Sequence, residues 1–159
     1  MKPMIGAISL MLAVGLGSTV HARSSQNNVG SQLGSIDVKI IENKPEGEWV
    51  GKPKVVEFWA TWCGPCRDSI PHMNKIHDQF KDRGLVIIGI TDEDRKDVRE
   101  FTKEIPMHYV VATDEKARLK KSLAVTAIPH AVVVDKAGKI VWEGHPLQLE
   151  DKVVEDVLK

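Results

Sequence analysis

The stretch that decides the fold reads VVEFWATWCGPCR, from Val55 to Arg67. Its first half is a run of apolar and aromatic residues, typical of a parallel strand that is buried on both faces. Its second half contains Cys63 and Cys66, the two cysteines of the chain. Apolar residues at three- and four-residue steps follow and predict a helix. The cysteine pair is therefore predicted to lie where a central strand gives way to a helix.

This position favours redox chemistry at Cys63. The start of a helix offers unpaired backbone N–H groups and the positive end of the helix dipole, and both stabilise a thiolate. Pro65 fits in the first turn because the N–H that it lacks would have no helical partner. The spacing lets both sulfurs meet within that turn, so a mixed disulfide at an exposed Cys63 can be resolved by Cys66.

Other uses of the cysteine pair can be weighed by ligand count and loop length. A structural zinc site needs four ligands, whereas the chain has two cysteines, and His72 and His77 are five residues apart. A purely structural bridge would restrain little of the unfolded chain, because the ring that it closes is very short. A Cu(I)-carrying protein stays open as an alternative, since soft thiolate ligands suit that ion.

Glu57 is an ionisable residue inside the apolar strand. Strand alternation places it on the same face as Val55 and Trp59, and burial would raise the pKa of its carboxyl. One interpretation is an acid that stays buried in the strand. The other is a strand glutamate that reaches solvent.

Strand and helix patterns alternate through the rest of the chain. Helices are predicted from the cysteines to about residue 83, over 94–104 and 115–123, and from Leu149 onward. Strands are predicted over 36–41, 54–60, 85–90 and 109–112, followed by a hairpin of 131–134 and 140–142. This order predicts an α/β fold with a sheet covered by helices on both faces.

Three segments within residues 36–159 carry a family resemblance. Residues 55–67 resemble the active-site segment of thioredoxins, and residues 36–159 resemble the extracytoplasmic TlpA-like branch of that superfamily. Ala127-Ile128-Pro129 with its following hairpin is similar to the second active-site loop of the family, and residues 94–112 are similar to the helix–strand insertion of the branch. The resemblance implies a thioredoxin fold with a central mixed sheet, a reactive Cys63, a resolving Cys66 and a cis peptide bond before Pro129.

The resemblance also implies roles for residues around the pair. Thioredoxins place an acid where Glu57 stands, six residues before the first cysteine, and that acid exchanges a proton with the second thiol. Many TlpA-like proteins carry a non-ionisable residue there, so Glu57 departs from the branch. Ile128 and Pro129 would border a groove for an extended substrate, which Trp62 would also contact. His130 stands where the family often has a small residue, and it either influences the thiolate or simply begins a strand.

The N-terminal residues have a different composition from the rest. Lys2 is the only charge in residues 1–22, an apolar run extends over about 4–20, and Val20-His21-Ala22 resembles a cleavage site. These features predict a signal peptide over 1–22, with an uncleaved membrane anchor as the alternative. Residues 23–35 are rich in Ser, Asn, Gln and Gly and are predicted to form a flexible spacer before a thioredoxin-like domain over 36–159.

The charge balance narrows the choice of partners. The chain has 22 basic and 22 acidic residues, which gives no electrostatic footprint for nucleic acid.

The cysteine pair and the N-terminal segment together lead us to expect a periplasmic or secreted monomer that exchanges disulfides with proteins and needs no cofactor and no metal. Gly64-Pro65 resembles the reducing thioredoxins, which favours a reductase recharged by a membrane electron donor; an oxidant using the same pair is the alternative.

Overall fold

The computed structural model describes residues 27–159. They form a mixed sheet whose six strands follow the order β1-β4-β3-β2-β5-β6. The strands are β1 (Lys39–Glu42), β2 (Lys54–Phe58), β3 (Val86–Thr91), β4 (Val110–Thr113), β5 (His130–Val134) and β6 (Ile140–Gly144), and the helices are α1 (Gly64–Phe80), α2 (Arg95–Glu104), α3 (Arg118–Ser122) and α4 (Asp151–Leu158). Strands β2, β3 and β4 are parallel, while β1, β5 and β6 pair antiparallel with their neighbours.

Helices cover both faces of the sheet, which confirms the prediction. One core cluster holds Ile70 of α1, Val98 of α2 and Val154 of α4. The other holds Leu119 of α3 together with the opposite faces of the central strands. Apolar burial on both sides explains why the central strands are continuous apolar runs rather than alternating ones.

The sheet register brings two loops to one edge. Strand β2 is buried throughout, and its last residue, Phe58, pairs with His130 at the start of β5. The loop that carries the cysteines follows Phe58, and the Ile128-Pro129 loop precedes His130. The two segments that resemble the active-site loops of thioredoxins therefore meet at the same end of the sheet.

Helix α3 is shorter than the sequence pattern predicts. It begins at Arg118 rather than near Glu115. The Asp114 carboxylate accepts the Leu119 N–H at 3.0 Å, and Ala117 adopts the left-handed conformation with φ 51°. This side-chain capture holds the preceding residues in a turn, so the helix starts later.

Part of the predicted spacer is fixed to the sheet. Gly30 N donates to Ile140 O, Leu33 N donates to Gly138 O, and Gln32 forms a bridge with Lys139. Backbone groups of residues 30–33, within the segment predicted as a spacer, therefore cover the outer edge of β6. The predicted signal peptide over 1–22 lies outside the described residues. Within residues 27–159, no helix has the length and apolar composition needed to cross a membrane.

Candidate active site

A disulfide joins Cys63 and Cys66, whose Cα atoms are 5.2 Å apart. Cys63 is the N-cap of α1, and its Sγ accepts the Cys66 N–H at 3.3 Å. Pro65 occupies the first turn, where its missing N–H costs no hydrogen bond. The N-cap geometry thus directs a backbone donor of the helix start at the sulfur of Cys63, which favours its negatively charged form.

The two sulfur-bearing residues differ slightly in exposure. Cys66 is fully buried, while 5% of Cys63 is exposed. Cys63 is the more accessible of the pair, but it is buried in a core cluster rather than exposed as the sequence analysis expects. The neighbouring Trp62 is 72% exposed and is the large apolar side chain beside the pair that faces solvent.

Glu57 is completely buried in the middle of the sheet. Its Oε2 accepts the Tyr109 hydroxyl at 2.9 Å, and its Oε1 lies 3.2 Å from Ser69 Oγ on α1. Burial raises the pKa of Glu57 to about 7, although the hydrogen bonds from Tyr109 and Ser69 oppose the rise. The alternative of a glutamate that reaches solvent is therefore wrong.

Ser69 connects this carboxyl to the cysteine turn. Its hydroxyl lies 2.8 Å from the carbonyl oxygen of Cys66 and also faces Glu57. Glu57 thus lies under the turn that contains Cys66. A carboxyl that titrates near neutral pH can both accept and return a proton there.

The second loop lies at the same edge. The Ile128–Pro129 peptide bond is cis, Pro129 is buried, and Ile128 packs against the core cluster that includes both cysteines. His130 follows, with its Nε2 buried and 3.6 Å from Glu143 Oε2. In residues 27–159 the structure shows no cluster of three or more His, Cys, Asp or Glu side chains suited to hold a metal ion.

Glu93 fastens the loop that leads into the cysteines. It follows β3, and its two carboxylate oxygens accept the Thr61 N–H at 2.7 Å and the Thr61 hydroxyl at 2.6 Å. Arg67 Nε donates to Thr61 O at 2.9 Å, and the Arg67 guanidinium lies over the Phe101 ring at 5.3 Å. Glu93, just after β3, and Arg67 of α1 therefore hold Thr61, the residue before Trp62, while Phe101 of α2 packs against Arg67.

Replacing Glu93 with alanine is expected to lower the free energy of unfolding of the oxidised protein by about 1.5–3 kcal/mol, because the Thr61 donors lose a charged acceptor. Urea denaturation measures the change. Glu104→Ala is the matched control, since Glu104 is exposed on α2. Equal stability of the two variants would show that water replaces Glu93 at Thr61 without cost.

The sequence analysis missed Ser69, Glu93 and Tyr109. A signal for Glu93 was present, because it follows β3 and the carboxyl ends of parallel neighbours meet at one edge of a sheet. Ser69 is three residues after Cys66, one helical turn away. Nothing in the local pattern at Tyr109 indicates a partner on β2.

Sequence comparison places the chain among known proteins. Residues 38–143 match the AhpC/TSA family. The thiol-disulfide oxidoreductase ResA of Bacillus cereus (strain ATCC 10987) is 28% identical, over 96% of this chain and 92% of the relative. ResA of Geobacillus thermodenitrificans is 25% identical, over 84% of this chain and 80% of the relative.

Solved structures agree on the fold. The thioredoxin domain of a thiol-disulfide oxidoreductase from Bacteroides vulgatus matches with a TM-score of 0.70 and 24% identity, over 84% of this chain and 100% of the other. A thiol:disulfide interchange protein of the thioredoxin family from Chlorobium tepidum matches with a TM-score of 0.66 and 25% identity, over 86% of this chain and 100% of the other. These matches confirm the predicted thioredoxin fold. With its cysteine pair at the start of α1, the chain belongs to the AhpC/TSA family and is a thiol–disulfide oxidoreductase.

Proposed function

We propose that this oxidoreductase works as a reductase of protein disulfides, with Cys63 as nucleophile and Cys66 as resolving residue. The observation that carries the proposal is the N-cap position of Cys63, whose Sγ receives a backbone N–H of α1 while Cys66 is fully buried. A helix N-cap favours the thiolate at the more accessible sulfur. Gly64-Pro65 between the cysteines supports the reducing direction through its resemblance to thioredoxins.

The reaction has two exchange steps. The Cys63 thiolate attacks one sulfur of a substrate disulfide, forms a mixed disulfide and releases the other substrate sulfur as a thiolate, which takes a proton from solvent. Cys66 then loses its proton and attacks the Cys63 sulfur. The Cys63–Cys66 disulfide forms, the second substrate thiolate leaves, and two electrons have passed to the substrate.

Glu57 is the proposed acceptor of the Cys66 proton in the second step. The buried carboxyl lies under the cysteine turn, linked through Ser69. Its pKa of about 7 makes both protonation states available at neutral pH, which is the condition for a general acid–base group. The proton returns when the disulfide is reduced again.

Substrate contact is assigned to three residues next to the pair. Trp62 offers an exposed indole, and Ile128 and Pro129 belong to the second loop, which lies at the same end of the sheet as the cysteines. Backbone groups near such a loop can pair with an extended peptide, which suits a protein substrate.

The N-terminal composition supports a location outside the cytoplasm, and that location implies an electron donor for the reductase. A signal peptide over 1–22 would direct the domain to the periplasm or exterior, where disulfides persist. In that compartment a reductase needs a membrane electron donor, because it holds only one pair of cysteines. A monomer would leave the cysteine edge open to both partners.

The reduction potential of the Cys63–Cys66 pair tests the direction. We expect a value near that of thioredoxin, about −270 mV, rather than near the roughly −120 mV of a strong thiol oxidant. Equilibration with dithiothreitol or glutathione buffers gives the value, read by tryptophan fluorescence and by alkylation of free thiols. Trp62→Phe serves as the control that the fluorescence change reports the pair. A potential close to the oxidant would reverse the proposed direction.

A further inference from the structure

The Glu57 carboxyl has a partner from two strands away. Strand β3 lies between β2, which carries Glu57, and β4, which Tyr109 immediately precedes. The Tyr109 hydroxyl nevertheless donates to Glu57 Oε2 at 2.9 Å. The phenol ring must therefore cross the face of β3 to reach the carboxyl.

Gly89 is the residue of β3 at that crossing. It pairs in register with Glu57, and a Cβ at Gly89 would lie 3.0 Å from Tyr109 Cε2 and 3.0 Å from Trp59 Nε1. Those separations are too short for a side chain without moving the ring, since buried atoms are already closely packed. The space above Gly89 is therefore what allows Tyr109 to pass.

We propose that Tyr109, seated over Gly89, is a positioning residue that orients the Glu57 carboxyl and favours its ionised form. The inference rests on the proposed role of Glu57 in the resolving step. It adds that the proton acceptor of this enzyme is a unit of three residues on three neighbouring segments of the sheet, rather than a lone acid in the core.

The directions of the competing effects support this role. Burial raises the pKa of Glu57, whereas the hydrogen bond from Tyr109 lowers it. Burial and the nearby carboxyl raise the pKa of Tyr109 well above its usual value, so the phenol keeps its proton and remains a donor. The titratable neighbour of the phenol is His77 of α1, whose ring centroid is 6.4 Å from that of Tyr109. Cys66, on the turn that Ser69 contacts, is disulfide-bonded in the oxidised protein and has no proton to exchange there.

Ser69 is the weaker of the two donors to Glu57. Its hydroxyl has one proton and faces two acceptors, the Cys66 carbonyl oxygen at 2.8 Å and Glu57 Oε1 at 3.2 Å. The shorter contact competes for the proton. The Tyr109 hydroxyl donates to Glu57 Oε2, so the carboxylate depends chiefly on the phenol.

Tyr109→Phe is the direct test, because it removes the hydroxyl and keeps the ring. In oxidised protein labelled with ¹³C-carboxyl glutamate, the Glu57 signal is identified by its absence in Glu57→Gln. Its titration midpoint is expected to rise by about one pH unit, the effect of losing one hydrogen bond to a carboxylate. Thr113→Val is the matched control: its hydroxyl is buried in β4 without a partner, so the midpoint should stay unchanged.

The rate of resolution gives a second readout. Ellman's reagent releases one thionitrobenzoate when Cys63 attacks and a second when Cys66 resolves the mixed disulfide. At pH 7 the second phase of Tyr109→Phe is expected to slow about fivefold, the drop in ionised Glu57 that a one-unit rise gives, and to recover by about pH 9. The first phase should not change.

Gly89→Ala tests the passage itself. Its added methyl group should displace the phenol and raise the titration midpoint of Glu57. In the double variant that combines Gly89→Ala with Tyr109→Phe, the midpoint should rise no further than in Tyr109→Phe alone. An unmoved midpoint in Tyr109→Phe, or additive shifts in the double variant, would overturn the inference. A midpoint that rises with no change in the second phase would support the positioning by Tyr109 and overturn the proposed role of Glu57.

Discussion

Cys63→Ser is expected to lower the catalysed reduction of insulin by dithiothreitol to the uncatalysed background. A serine hydroxyl cannot form the mixed disulfide on which both exchange steps depend. The variant should still fold, because serine is itself a favourable N-cap and can accept the same Cys66 N–H. Its stability should be compared with that of the reduced wild-type protein, so that the lost disulfide is not counted as damage to the helix.

Cys66→Ser is the matched variant, since it removes the other sulfur and leaves the nucleophile. Attack by Cys63 continues, but nothing in the turn resolves the product, so mixed disulfides with protein substrates should accumulate. Non-reducing gels show them as adducts that disappear with reductant. Normal turnover of both variants would contradict the proposed chemistry, and adducts found only with Cys63→Ser would exchange the two roles.

The fold could be predicted because its determinants are local. The apolar run of β2 ends directly at a cysteine pair and a helix with Pro65 in its first turn, and this order admits few arrangements other than a parallel strand followed by a crossover helix. The later strands and helices follow the same periodic signals, with boundaries that differ by a few residues. The family resemblance of residues 55–67 then supplied the second loop.

The features that the sequence did not reveal depend on contacts between distant segments. The edge of β6 is covered by residues 30–33 through backbone groups, which composition does not distinguish from a mobile polar segment. The start of α3 depends on a side chain, Asp114, capturing an N–H. Tyr109 reaches Glu57 only because of the space over Gly89, and a tyrosine beside a strand is ordinarily a packing residue.

Glu57→Gln is expected to slow the resolving step by about 10²–10⁴, the usual contribution of a positioned acid–base group. The amide keeps the shape of the side chain and can hydrogen-bond with Tyr109 and Ser69, but it cannot take the proton from Cys66. Attack by Cys63 should change little, so the first thionitrobenzoate phase is the internal reference. Glu104→Gln, on the exposed surface of α2, is the matched control. A wild-type second phase across pH 6–9 would remove Glu57 from the reaction.

Glu57→Gln, which is expected to slow the reaction, is expected to make the folded protein more stable at high pH. The pKa of Glu57 rises from 4.5 to about 7 on folding, so the folded state holds this proton more tightly than the unfolded state. The proton on Glu57 makes its full contribution to the free energy of unfolding below about pH 4.5. That contribution, about 3 kcal/mol, is lost as the pH rises through about 7. Glu57→Gln has no proton to lose, so urea unfolding of the oxidised protein should show similar stability near pH 4.5 and a more stable variant at pH 8. Slow resolution together with greater stability at high pH would mean that the enzyme retains a buried acid for its chemistry at a cost to its stability. Parallel curves of stability against pH for the two proteins would instead show that folding leaves the pKa of the Glu57 carboxyl unchanged.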